Sequence, residues 1–249
     1  MKQIICLIMM ACWMHYAQSQ TKIEREIPVK KGQSIHMEFT WPKNIVVKTW
    51  NDQKIKLTAN VEINKGQNDD AFDFDIESNS EALFISSLIK NHEQLPKKIL
   101  IRYAGEEIFF DTSNPKSKEI KEFRDKNGID GFEYMTYGVL KDISIEVYIP
   151  RGLSLNIYSK YGMIELMNMS AELIAHSKFG GVDLSTSGTG SIKAGTRFGE
   201  KYTNLDHPVL NLAVGDHPGK WDWVQLGDDN KASVELKSEF GNIYIRKLI

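Results

Sequence analysis

Ser159-Lys160-Tyr161-Gly162-Met163-Ile164-Glu165-Leu166 is echoed a few residues later by Ser177-Lys178-Phe179-Gly180-Gly181-Val182-Asp183-Leu184. The pattern returns as Thr196-Arg197-Phe198-Gly199 and again as Ser238-Glu239-Phe240-Gly241-Asn242-Ile243-Tyr244-Ile245. Tyr161 to Phe179 is 18 residues, Phe179 to Phe198 is 19, and Phe198 to Phe240 is 42, close to two periods with a few residues added. Each copy reads polar pair, aromatic, glycine, then an apolar–x–apolar strand. Stacked coils of a β-solenoid produce this: the aromatic packs on its counterpart one rung away, and glycine allows the bend between short strands. The competing reading is a β-sandwich whose hairpins share a motif; four copies with aromatic and glycine in register favour the solenoid.

Outward from the repeat, the dominant period is two. Ile35, Met37 and Phe39 alternate with polar neighbours, as do Ile55, Leu57, Ala59, Val61 and Ile63, and later Ile143, Ile145, Val147 and Ile149. Such alternation sends one set of side chains to a core and the other to water. Phe72, Phe74 and Ile76 continue it, which puts Asp73 and Asp75 on the wet face of a strand. One helix is expected, with Asn114 as cap, Pro115 in the first turn, Ile120 and Phe123 on one face, and Asn127-Gly128 as the stop. The expected fold is all-β, a right-handed β-helix (β-solenoid) with a charged insertion carrying one short α-helix. The divisions are a signal peptide at 1–19, N-terminal β coils at 20–65, the insertion at 66–140 and the solenoid repeats at 141–249.

The repeats, the preceding Ile145-Glu146-Val147-Tyr148-Ile149-Pro150-Arg151-Gly152 and the terminal Phe240-Gly241-Asn242-Ile243-Tyr244-Ile245-Arg246-Lys247 resemble the bacterial putative-adhesin family with a β-helical domain. Val46-Val47-Lys48-Thr49-Trp50-Asn51 resembles an early coil of the same family. The resemblance covers residues 23–63 and 143–249. It implies an envelope-associated or secreted right-handed β-solenoid and brings no catalytic residues.

The N-terminus points to export. Lys2 precedes a largely apolar run at residues 4–13, and Ala17 and Ser19 give the small-x-small spacing of a signal-peptidase site, with cleavage before Gln20. The run is about half the roughly twenty residues a spanning helix needs, so a retained anchor is the weaker reading. A lipoprotein processed at Cys12 is weaker too, because Met9-Met10-Ala11 fits a lipobox poorly. Cys6 and Cys12 are the only cysteines and both fall in the removed segment, which leaves no thiol for a disulfide, a zinc site or a nucleophile. Loss of Lys2 leaves 30 basic against 33 acidic side chains, a balance of −3. That argues against nucleic-acid binding, which needs a basic face.

Few residues suggest chemistry. Asp206-His207-Pro208 and Asp216-His217-Pro218 bring two imidazoles ten residues apart, but a third metal ligand is missing and Asp before a Pro-terminated turn is ordinary turn chemistry. Asp69, Asp70, Asp73, Asp75 and Glu77 lack the glycine and terminal glutamate of a calcium loop. Ser185-Thr186-Ser187-Gly188-Thr189-Gly190-Ser191 lacks the lysine of a phosphate loop, and no Gly-x-Ser-x-Gly elbow occurs. Trp221 and Trp223, separated by Asp222, would share one face of a strand and form a glycan-stacking platform. The expected function is therefore non-catalytic, without metal or cofactor: an exported, adhesin-like surface that contacts a protein, a glycan or the cell envelope. The alternatives are a carbohydrate-active β-helix enzyme (polysaccharide lyase or hydrolase) and a structural accessory of envelope-stress machinery.

Overall fold

The structure, a computed structural model, describes residues 20–30, 32–128, 131–167, 172–186, 192–197, 201–205, 222–226, 234–238 and 243–247. It is all-β with one short helix. The first strands are β1 (Thr21–Pro28), β2 (Ser34–Phe39), β3 (Asn44–Trp50), β4 (Lys54–Ile63), β5 (Phe72–Ser78) and β6 (Ala82–Ile89). They are followed by β7 (Lys98–Tyr103), β8 (Glu106–Phe110), helix α1 (Lys118–Asn127) and β9 (Phe132–Gly138). After the long β10 (Lys141–Pro150) come five-residue strands: β11 (Leu155–Ser159), β12 (Met163–Met167), β13 (Leu173–Ser177), β14 (Val182–Thr186) and β15 (Ile192–Thr196). The last are β16 (Lys201–Leu205), β17 (Asp222–Leu226), β18 (Val234–Ser238) and β19 (Ile243–Lys247).

Two eight-stranded sheets carry the chain, in the orders β1-β4-β10-β3-β12-β14-β16-β19 and β17-β18-β15-β13-β11-β2-β6-β5. From β11 to β16 consecutive strands alternate between the sheets; β11 to β14 each pair in parallel with the strand two further on, and β15 and β16 with the strand three further on. Leu155 lies beside Leu173, Leu173 beside Ile192, and Ile164 beside Val182. Those offsets are 18, 19 and 18 residues, the period of the sequence repeat. A five-residue strand buries too little by itself; its apolar–x–apolar pair becomes a core only when stacked on its neighbours. Ile45, Ile164 and Val182 form one such file on the first sheet, and Ile35, Leu155 and Leu173 another on the second, all buried. Each aliphatic side chain buried in this way contributes about 1.5–3 kcal/mol.

The polar start of each repeat is buried as well. Ser159, Ser177 and Thr196 have no exposed surface. Ser159 Oγ accepts the Gly162 amide at 2.9 Å, and Ser177 Oγ accepts the Gly180 amide at 3.0 Å. Ser177 Oγ then donates to the Gly162 carbonyl at 3.0 Å, and Thr196 Oγ1 to the Gly180 carbonyl at 2.8 Å. Ser177 thus closes its own corner and ties it to the preceding one. The glycines differ from expectation: neither Gly162 nor Gly180 adopts the left-handed conformation that only glycine favours. They are required by close approach instead, since a Cβ on Gly162 would stand 2.2 Å from the Pro42 carbonyl oxygen.

The charged stretch 66–140 divides in two. β6 pairs in parallel with β2, and β5 with β6, so Phe72, Phe74, Leu83, Ile85 and Ile89 belong to the main core. Only β7, β8 and β9 form a separate three-stranded sheet, closed by α1 over its own small core of Ile99, Ile101, Phe110 and Ile120. The helix begins at Lys118, later than Asn114 would have it, because Asn114 is spent on a turn. Its Oδ1 accepts the Lys116 amide at 2.9 Å and its carbonyl accepts the Ser117 amide at 3.0 Å. Gly128 does end the helix, its amide bonding to the Arg124 carbonyl. The proposed signal peptide, Phe198-Gly199 and residues 239–242 lie outside the described residues.

Candidate functional site

Alternation along β2, β11 and β13 buries Ile35, Met37, Leu155, Ile157, Leu173 and Ala175, leaving the intervening residues on the outer face of the second sheet. Parallel register lines these up across strands that are far apart in the chain. One transverse row runs Asp75, Ser86, Glu38, Tyr158, His176 and Gly195. The next runs Glu77, Phe84, His36, Asn156 and Ile174. Rings stack within the rows: His36 on Phe84 with centroids 4.9 Å apart, and Tyr158 on His176 at 5.7 Å. Phe84 is 44% exposed. Glu38, Asp75 and Glu77 stand beside these rings and form no ion pair among the described residues. His36, Glu38, Asp75, Phe84 and Tyr158 line a shallow depression of about 440 Å³. It offers a phenol hydroxyl, an imidazole, an amide, unneutralised carboxylates and an apolar ring, which suit a ligand rich in hydroxyls.

The tryptophan expected to form a platform falls in this frame. Trp223 is paired with Lys237, and Lys237 with Gly195, so its register position continues the Asp75–Gly195 row at the far edge of the sheet. Trp221 lies outside the described residues, as do Asp206, His207, Asp216 and His217. The acidic run is divided among separate tasks. Asp69 is buried and accepts the Ile63 amide at 2.6 Å and the Thr21 hydroxyl at 2.7 Å. Asp73 pairs with Arg25 at 2.7 Å and with Lys90 at 3.2 Å, while Asp75 and Glu77 are exposed on the outer face of β5.

A second cluster sits at the corner between the sheets, where the expected stacking of Tyr161 on Phe179 is joined by Trp41, His92 and Lys141, which were unforeseen in the sequence. The rings of Trp41, Tyr161 and Phe179 stack in file, with centroids 5.9 and 5.4 Å apart. His92 covers the Trp41 ring at 4.4 Å. A lysine lies over each ring of the file: Lys141 over Trp41 at 4.3 Å, Lys160 over Tyr161 at 5.1 Å and Lys178 over Phe179 at 5.0 Å. Between this corner and the three-stranded sheet is a cleft of about 450 Å³, lined by Trp41, Tyr161, Lys141, Thr136, Glu62 and Glu107 among others. Burial pushes the Lys141 ammonium below the ordinary lysine range. Burial, reinforced by the Lys141 charge, likewise lowers His92 and favours its neutral form. Trp41 stood in the sequence as part of a turn; the clue was that Trp41-Pro42-Lys43-Asn44-Ile45-Val46-Val47 repeats the aromatic-then-apolar–x–apolar order.

No helix among the described residues is long and apolar enough to cross a membrane. No family model and no curated protein matches the chain. Among solved structures, a putative cell adhesion protein from Clostridium sporogenes is similar with a TM-score of 0.46 at 10% identity, over 92% of this chain and 100% of that one. A putative adhesin from Bacteroides fragilis is similar with a TM-score of 0.21 at 13% identity, over 93% of this chain and 99% of that one.

Proposed function

We propose that the chain is an exported, non-catalytic, adhesin-like module, a right-handed β-solenoid whose second sheet holds an extended glycan across its outer face. The solenoid reading is supported by parallel pairing at offsets of 18 and 19 residues in both sheets. The binding reading rests on one observation: outward register rows that combine stacked rings with carboxylates lacking a counter-charge among the described residues. With strands about 4.8 Å apart, a row across eight strands measures roughly 34 Å, a strip suited to a polymer. Sugar hydroxyls donate to Glu38, Asp75 and Glu77, and the exposed Phe84 ring receives the apolar face of a pyranose.

The test is a glycan array probed with the purified protein and with Tyr158→Ala, Phe84→Ala and Trp223→Ala. Binding to a restricted set of glycans, lost in the Tyr158 and Phe84 variants, is expected. Binding that none of the variants alters removes the strip as the site. Recovery of shortened or unsaturated sugar after incubation with the bound glycan overturns the non-catalytic reading.

A further inference from the structure

We propose that the cleft between the aromatic corner and the three-stranded sheet is a separate binding site, taking the carboxylate of an acidic sugar such as a uronate, with Lys141 as its anchor. The site is distinct from the strip on the second sheet. The other lysine of its lining is neutralised, since Lys65 pairs with Glu62 at 3.0 Å, and Lys43 nearby pairs with Asp142 at 2.7 Å. Lys141 has no carboxylate partner among the described residues. Its ammonium donates to the Val139 carbonyl at 3.0 Å and meets His92 Nε2 at 3.1 Å, both uncharged partners, while resting on the Trp41 ring. An ammonium has three donors, and only two are bonded to an oxygen or nitrogen, the Trp41 ring being a contact that a ligand carboxylate outcompetes. A half-buried cation without a counter-ion is costly, and an incoming anion offsets that cost.

The cleft walls define the kind of anion. Glu62 and Asp142 face the same space but are paired with Lys65 and Lys43, whereas Glu107 has no ion-pair partner among the described residues, and its repulsion of a phosphate dianion is about twice that of a single carboxylate. The remaining wall is made for hydroxyls, with Thr136 and Tyr161 beside those three acids. The volume, about 450 Å³, is in the range of small-molecule sites, which run from about 300 to 1,000 Å³.

The experiment is a ¹H–¹⁵N NMR titration of the purified protein with sodium glucuronate, methyl glucoside and inorganic phosphate. Glucuronate is expected to move the Trp41 indole resonance saturably, and to bind at least tenfold more tightly than the other two. Lys141→Met should weaken glucuronate at least tenfold, Lys141→Arg should retain most of the binding, and Tyr158→Ala on the other face should change nothing. Equal binding of phosphate or methyl glucoside overturns the proposal, as does undiminished binding in a folded Lys141→Met protein. Loss of the response in Tyr158→Ala would assign it to the strip and overturn the cleft. Ligand preference in the unaltered protein decides the matter even if Lys141→Met fails to fold.

Discussion

Gly180 lies against Gly162 so closely that a Cβ added to Gly180 would stand 2.2 Å from the Gly162 carbonyl oxygen. The obstacle is backbone, fixed by the Ser177 hydroxyl that donates to that same oxygen. A methyl group there must therefore prise one rung from the next. Gly180→Ala is expected to destabilise the protein by about 1–3 kcal/mol or more, the usual cost of overpacking. Urea denaturation measures it, with Gly32→Ala, where no atom lies within 4 Å of an added Cβ but φ is +87°, separating crowding from backbone strain. A Gly180→Ala midpoint equal to that of the unaltered protein would refute the close approach.

Ser177 supports two backbone groups, the half-buried Gly180 amide of its own corner and the buried Gly162 carbonyl of the preceding one. Ser177→Ala leaves the Gly180 amide and the Gly162 carbonyl without that partner, at about 1–3 kcal/mol for the buried carbonyl and less for the half-buried amide. Ser177→Thr should recover most of the loss, because Thr196 fills the equivalent place one rung on and makes the same bond to Gly180. Thermal melts of the two variants, compared directly, give the answer; equal loss in both would mean that volume matters there and the hydroxyl does not.

The Ser/Thr–x–aromatic–Gly corner was legible in sequence because it recurs with the strand that follows it. Its first occurrence was hidden. Phe39-Thr40-Trp41-Pro42 carries phenylalanine where the others carry a hydroxyl and proline where they carry glycine, and Lys43 adds a residue before the strand resumes. Beyond its aromatic-then-apolar–x–apolar order, the stacking of Trp41 on Tyr161 and the pairing of Phe39 with Ser159 reveal it as a member of the series. The wet face of β5 could be read from alternation, but not its neighbours. Asp75, Glu38 and Tyr158 come together through parallel register between strands distant in the chain, and local periodicity holds no record of such pairing. The same holds for Lys141 and His92, 49 residues apart.

His92 makes stability depend on pH. Burial and the adjacent Lys141 ammonium hold its imidazole below the ordinary value of 6.5, with Glu93 opposing them. The folded chain therefore takes up this proton less readily than the unfolded chain. The two forms are equally neutral well above pH 6.5. As pH falls through 6.5, the unfolded chain is protonated first and stability declines, and the decline from this group ends once pH is below the folded value. Denaturation midpoints between pH 8 and pH 5 should fall more steeply for the unaltered protein than for His92→Gln. Parallel slopes would show that His92 titrates freely.

Ile120 anchors α1 to the three-stranded sheet and has no exposed surface, yet it belongs to a core of only four buried residues separate from the main one. Small cores open locally at lower free energy than the whole chain. Ile120→Ala removes a large part of that cluster, and a buried Ile→Ala change typically costs about 2–5 kcal/mol. The loss should appear first as local opening. Hydrogen exchange is expected to accelerate for the amides of β7, β8 and β9, whose residues pack on Ile120, and to stay unchanged for those of β11 and β12. Ile164→Ala, in the main core, should instead accelerate exchange in both eight-stranded sheets and lower the global denaturation midpoint. Uniform acceleration in both variants would mean that the two cores unfold as one.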